Sequence, residues 1–342
     1  MAQAATDRID VPLVVVLGAG ASRGAGSDWG PMQPPLTVDL FDEAQYGPLL
    51  EAYDLAHQAG RFIADECAGD DARSLEQVLH ALRTSEHEHH RRMAFSVPPY
   101  LQHLLHSVSE AHFRQAVRYD RLIERLLRLP YVCFLTLNYD VMLDRRLAAH
   151  HQLSDFEDYI SEDKNWSLIK LHGSVNWVYQ RPEPIDPFPP TNDLRVQDHE
   201  LQCHPPTATL EGIRGRSDGR HRYPALAMPE GPEDRLVLPS RHQWWIKQKL
   251  EAAPNIDLLV IGYSGLDVEA LNLIGSTKTP VRLMTIVNQS QESAIAVRDR
   301  FNEFGIKSVW TATASGDFGQ WVDAGGLDQL VAQFGGPYPD AY

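Results

Sequence analysis

The sequence predicts an α/β protein built on a doubly wound, mostly parallel sheet. Short β-branched runs that are almost continuously apolar recur along the chain, as strands buried on both faces must be. Patterns of helical period stand between them, such as "DVMLDRRLAAH" and "QESAIAVRDRFNEFG", the latter stopped by glycine. Alternation of this kind gives the Rossmann-like arrangement, with ligands taken at the carboxyl ends of the strands.

The expected strands, in order, are 13–18 ("LVVVLG"), 131–138 ("YVCFLTLN"), 167–173 ("SLIKLHG"), 256–264 ("IDLLVIGYS") and 281–288 ("VRLMTIVN"). One domain over 11–336 accommodates them. Two intervals interrupt the alternation. Residues 37–128 read as helix after helix, including "SLEQVLHALRTSEHEHHRRMAF", and are expected to form a helical insertion. Residues 181–234 are rich in Pro, Gly, Asp and His and read as a long irregular loop or lid.

With 342 residues, 43% hydrophobic and 23% charged, the chain can bury a core without covalent staples. Three well-separated cysteines, Cys67, Cys133 and Cys203, supply neither a disulfide framework nor a four-thiolate zinc site. The histidines of "EHEHH" read as a solvated helical face, and "DHELQCH" lacks an evident fourth ligand, so no metal is expected. A formal charge of -15 with no block of Lys and Arg argues against direct nucleic-acid binding. No apolar run approaches the ~20 residues of a membrane span, and "MAQAATDRID" has no apolar signal core, so a cytoplasmic location is expected.

The chemistry-bearing residues gather at strand ends. Gly18 and Gly20 in "LGAGAS" follow the first strand, where their backbone could approach a pyrophosphate. Yet Arg23 stands where G-x-G-x-x-G has its third glycine, and Asp39 lies at a helix start rather than a strand end. On the glycines alone, phosphate cradle and structural turn stand level. The second strand end, "LTLNYD", brings Thr136, Asn138 and Asp140 to the edge, with Asp140 equally suited to cap the next helix. His172 in "IKLHG" is a candidate general base. "VIGYSGLD" adds Gly262, Ser264 and Asp267, and "TIVNQS" adds Asn288, side chains able to hold ribose hydroxyls or phosphate oxygens.

These residues carry a family resemblance. "GAGASRGAG" resembles the sirtuin nucleotide turn, with Gly18, Ala19, Gly20, Ser22, Ala25 and Gly26 at the matching places. "TLNYD" resembles the family's T-x-N-x-D, "LHG" its catalytic histidine motif, "GYS" its G-x-S and "VN" its late asparagine, in order over 13–290. The zinc ribbon of protein-deacylating sirtuins has no counterpart, and "SDWGPMQPPLT" replaces the family's I-P-D-F-R. "PPLTVDLF", "SLEQVL", "LVLPSRHQWW" and "VIGYSGLD" look instead like the bacterial SIR2-like effector branch.

That resemblance implies NAD hydrolysis within antiphage defence, alongside a sensor or ATPase partner and in a homo-oligomer to which 37–128 contributes surface. NAD is then the substrate. Gly18, Ala19, Gly20, Ala21 and Ser22 would hold its pyrophosphate, with Thr136, Gly262, Ser264, Asp267 and Asn288 completing the dinucleotide site. Asp140 would accept a hydrogen bond from the nicotinamide amide, Asn138 would fix ribose hydroxyls or a water, and His172 would take a proton. A protein deacylase or ADP-ribosyltransferase using the same pocket, and a module that senses NAD or ADP-ribose without turnover, are the alternatives.

Overall fold

Six parallel strands form the central layer of the computed structural model, which describes residues 11–27, 29–30, 32–68, 73–181, 198–215, 219–228 and 236–333. Strand β1 (Leu13–Leu17) runs into the short helix α1 (Ala19–Gly24). Five helices follow: α2 (Glu43–Glu51), α3 (Asp54–Glu66), α4 (Leu75–Thr84), α5 (Glu88–His112) and α6 (Val117–Leu126). Next come β2 (Val132–Thr136), α7 (Met142–Leu147), β3 (Trp166–Lys170), β4 (Gly173–Arg181), β5 (Leu201–Cys203), α8 (Leu210–Arg214) and β6 (His221–Leu226). The chain continues through α9 (Ser240–Glu251), β7 (Ile256–Ile261), α10 (Val268–Ser276), β8 (Val281–Asn288), α11 (Gln291–Glu303), β9 (Ser308–Ser315), α12 (Phe318–Asp323) and α13 (Gly326–Gln333).

The sheet order is β3-β2-β1-β7-β8-β9, every pair parallel. β1, β2, β3 and β7 are buried along their whole length, which is why they read as mostly apolar runs, broken only by Thr136, Ser167, Lys170 and Asp257. The chain winds outward from β1 in one direction and, after β7, in the other. The order therefore reverses between β1 and β7, and a crevice opens there at the strands' carboxyl ends.

The sheet has one strand more than the sequence suggests. "SVWTATAS" forms β9 at the edge, where one flank needs no cover; Val309 and Trp310 are exposed and the Thr, Ala and Ser give no apolar run. The interval 181–234 is also more regular than its composition suggests. Its described residues include β5 and β6, which pair antiparallel with β4 in a separate sheet of order β5-β4-β6. These short runs acquire strand form from a distant partner, a constraint that local pattern does not carry. Residues 182–197, 216–218 and 229–234 of that interval lie outside the described residues.

Among the described residues of 37–128 every regular element is helical. α2 to α5 enclose an apolar core of their own around Tyr46, Leu79, Val97, Tyr100 and Leu104, which Leu226 of β6 joins. Ser74 caps α4 by accepting from Gln77 N–H, while Gln77 Oε1 accepts from Ser74 N–H in return. No described helix is long and apolar enough to cross a membrane.

Candidate functional site

The turn after β1 and the turn after β7 meet backbone to backbone at the switch point. Gly18 N–H donates to Ile261 O at 3.0 Å and Gly20 N–H to Gly262 O at 3.1 Å. A β-carbon on Gly18 would lie 2.4 Å from Gly262 O, and one on Gly262 would lie 2.3 Å from Ala21 N. Gly262 also has φ +58, a left-handed conformation that disfavours any side chain. The glycines of these turns thus have a structural reason that holds with or without a ligand. Their N–H groups are spent inside the protein, and their missing side chains let two turns close on each other.

The end of β2 is clamped to this turn. Asn138 Nδ2 donates to Gly18 O at 2.9 Å and to Ser22 Oγ at 3.0 Å, while Thr136 Oγ1 accepts from Asn138 N–H at 3.1 Å. Ser22 Oγ donates to Asp140 Oδ2 at 2.7 Å and lies 3.0 Å from Tyr119 OH. The serine has one hydrogen, given to Asp140, so Tyr119 and Asn138 both donate to it and its hydroxyl is saturated. Asp140 Oδ1 accepts from Met142 N–H at 3.0 Å, in the first turn of α7. Burial raises the Asp140 carboxyl, against the lowering effect of the Lys170 charge and the Ser22 hydrogen bond. Lys170 itself is buried, 3.0 Å from Asp144 Oδ2, and donates to Asp140 O at 2.6 Å.

With both amide hydrogens of Asn138 held, its carbonyl oxygen is the atom left to face a ligand. Tyr119, in α6, was not legible as a member of this cluster. In sequence it is one apolar position of an amphipathic helix, and only the fold brings it beside Ser22.

At the end of β3, His172 Nε2 sits 2.6 Å from Asp267 Oδ2. Asp267 caps α10 with its other oxygen, accepting from Ala270 N–H at 2.6 Å. Burial raises the Asp267 carboxyl, but the His172 hydrogen bond and charge and the Ala270 N–H outweigh it, and the net result lies below the usual carboxylate range. The imidazole is flanked by the Tyr139 ring at 6.0 Å, and Ala227 N–H donates to His172 O at 2.9 Å. Gly173 turns the chain from β3 into β4 with φ +79, and a β-carbon there would lie 1.9 Å from Ala225 O.

A cavity of about 1750 Å³ opens over these turns. Gly18, Ala19, Gly20, Ser22, Asn138, Asp140, His172, Gly262, Ser264, Asp267 and Asn288 all line it. Ala21 and Thr136 are buried and are not among its lining residues. Asn288 reaches the cavity wall with its side chain partly committed, donating to Tyr263 O at 3.0 Å and accepting from Gln289 N–H at 2.9 Å. Arg23, which displaces the expected third glycine, also lines the cavity and pairs with Asp39 at 2.7 Å. The far wall is apolar and helical, with Ile63, Leu79, Val97 and Leu101. Among the described residues no group of three or more His, Cys, Asp or Glu is placed to hold a metal ion.

Set beside known proteins, the sequence matches no family model, and no curated protein matches it. Solved structures do match. One, from work on the mechanism and regulation of Sir2 enzymes, aligns over 95% of this chain and 95% of its own at 14% identity and a TM-score of 0.42. A Sir2 bound to the inhibitor EX-527, 2'-O-acetyl-ADP-ribose and a deacetylated p53 peptide aligns over 93% and 94% at 13% identity, TM-score 0.38. A structure from a study of sirtuin substrate affinity aligns over 94% and 93% at 13% identity, TM-score 0.38. The chain is similar to these proteins over nearly its full length, at identities that leave its function to its own residues.

Proposed function

We propose that the protein hydrolyses NAD at the nicotinamide–ribose bond, releasing nicotinamide and ADP-ribose. One observation carries the reading: the carbonyl of Asn138 and the imidazole of His172, at the ends of adjacent strands, line one cavity with the closed glycine turns of the switch point. Binding alone needs no base. A histidine held by a carboxylate at 2.6 Å is a proton acceptor set in place.

In this mechanism the dinucleotide lies across the switch point with its pyrophosphate beside the turn of Gly18 to Ser22 and the Arg23 guanidinium. Asn138 Oδ1 accepts from a ribose hydroxyl or from the attacking water. As the C1'–N bond breaks, its electron pair leaves with nicotinamide, which departs neutral. The water oxygen bonds to C1', and its proton passes to His172 and then to solvent. Asp140, with lone pairs remaining on its carboxylate, accepts from the nicotinamide amide. In this reading the helices of 37–128 supply assembly surface, and a sensor or ATPase partner from a defence system triggers the activity.

A second reading has its own support. The cavity exceeds the roughly 300–1,000 Å³ of ordinary small-molecule sites, and its lining includes the apolar side chains Ile63, Leu79, Val97 and Leu101. A deacylase or ADP-ribosyltransferase would seat a second substrate there.

Incubation of the purified protein with NAD, alone and with the product of its neighbouring gene, followed by product identification, tests both. ADP-ribose formed without any acylated peptide or acceptor supports hydrolysis. Nicotinamide release that strictly requires an acylated peptide supports deacylation. His172→Ala and Asn138→Ala should each cut turnover by about tenfold to a thousandfold in folded protein. Full turnover by both variants would remove the assigned roles.

A further inference from the structure

Asp267 stands in the wall of the cavity, where its sequence position suggests a contact to the dinucleotide, yet the structure commits its carboxylate elsewhere. Oδ2 meets His172 Nε2 at 2.6 Å, and Oδ1 accepts the Ala270 N–H at 2.6 Å in the first turn of the nine-residue helix α10. The backbone behind it is tied as well. Tyr263 OH donates to Asp267 O at 3.0 Å, and Asn288 Nδ2 holds Tyr263 O at 3.0 Å, anchoring the turn to the end of β8. The carboxylate plane is thus fixed between a helix end and an imidazole.

The reach of this contact is informative. β3, which delivers His172, and β7, which delivers Asp267, are separated in the sheet by β2 and β1. Three strand spacings are about 14 Å. The contact between Asp267 and His172 therefore spans the carboxyl ends of β1 and β2. An ordinary helix cap needs no such reach, since capping is satisfied locally.

The geometry points to Asp267 as the positioning residue for His172 rather than a ligand of the dinucleotide. An ionised carboxylate at Nε2 keeps the neutral ring's proton there and leaves the lone pair on Nδ1, the nitrogen that accepts the proton in turnover. When Nδ1 is protonated, the same carboxylate stabilises the imidazolium. Among the described residues Tyr139 is also set against the ring, and its hydroxyl donates to Ala227 O. The kinetic part of this assignment rests on the hydrolase reading; the tautomer does not.

Asp267→Asn is the informative substitution, because asparagine caps a helix as well as aspartate while lacking the charge. The test records imidazole nitrogen resonances of protein labelled with ¹⁵N-histidine, assigned to His172 by their loss in His172→Ala, together with kcat and KM for NAD. Expected are an Nε2–H tautomer in the unaltered protein, its loss or mixing in D267N, and a kcat lowered tenfold to a hundredfold with KM within about threefold. Unchanged His172 resonances in D267N would overturn the assignment. So would a tenfold higher KM with kcat preserved, the mark of a direct dinucleotide contact. Absence of NAD turnover in every form, with the neighbouring gene product present, would instead end the hydrolase reading, with the resonances still deciding the role of Asp267.

Discussion

Asn138 donates its side-chain amide to the Gly18 carbonyl at 2.9 Å and to Ser22 Oγ at 3.0 Å, locking the end of β2 to the turn after β1. The same residue thereby serves the fold and lines the cavity. Asn138→Asp keeps the shape and removes both donors, setting a second carboxylate beside the Ser22 hydroxyl that already serves Asp140. Loss of about 1–3 kcal/mol is expected, more than for Asn138→Ala, whose truncation adds no charge. Urea denaturation of the two variants checks the order, and an aspartate variant as stable as the parent would show that the clamp contributes nothing.

The glycines of the two facing turns should differ sharply from glycines elsewhere. Gly18→Ala drives a β-carbon to 2.4 Å from Gly262 O, and Gly262→Ala meets Ala21 N at 2.3 Å in a left-handed conformation. Backbone cannot yield as a flexible side chain can, so each should cost about 1–3 kcal/mol or more and displace the turns. Gly305→Ala has φ +76 but open space around it, and should cost only the roughly 1–2 kcal/mol of the left-handed conformation. Melting temperatures of the three variants give the comparison.

Lys170 and Asp144 form an ion pair with about 1% of either side chain exposed, Nζ to Oδ2 at 3.0 Å. Lys170→Met strands the Asp144 carboxylate in the core with the Tyr159 hydroxyl as its remaining donor. A loss of about 3–5 kcal/mol is expected. The double variant Lys170→Met/Asp144→Leu should lose clearly less than the two single losses added together, because no orphaned charge remains. Additive losses in chemical denaturation would contradict this.

His242 is fully buried among Phe156, Tyr159 and Trp177 and donates from Nε2 to Phe156 O at 2.8 Å. Burial pushes its pKa from 6.5 down to about 4, with the Phe156 carbonyl opposing the shift. Between those values the unfolded chain binds a proton that the folded one refuses. Stability should therefore fall as pH drops from 6.5 to about 4, by up to ~3 kcal/mol from this residue. His242→Gln should flatten that part of the stability profile; an unaltered slope would assign it to other groups.

The strands that were legible in the sequence were those buried on both faces, since Leu13–Leu17, Val132–Thr136 and Ile256–Ile261 are mostly apolar, as strands inside a parallel sheet must be, with only Thr136 and Asp257 polar. β9 escaped notice because an edge strand with Val309 and Trp310 in solvent follows no such rule. β5 and β6 escaped because their form comes from pairing with β4. Among the candidate residues, position at a strand's carboxyl end was enough to bring Asn138, Asp140, His172, Gly262 and Asp267 to one cavity.

By itself the sequence determined which residues stand at those ends, because burial and period are local properties written into consecutive side chains. Tertiary structure alone decided what each one does there. Ser22 became a saturated hub through Tyr119, 97 residues away, and Asp267 became the partner of His172 across two intervening strands. Hydrogen bonds at 2.6–3.0 Å between residues so far apart in the chain depend on how the sheet is ordered, and strand order is set by packing among all the elements at once rather than by any one stretch of sequence.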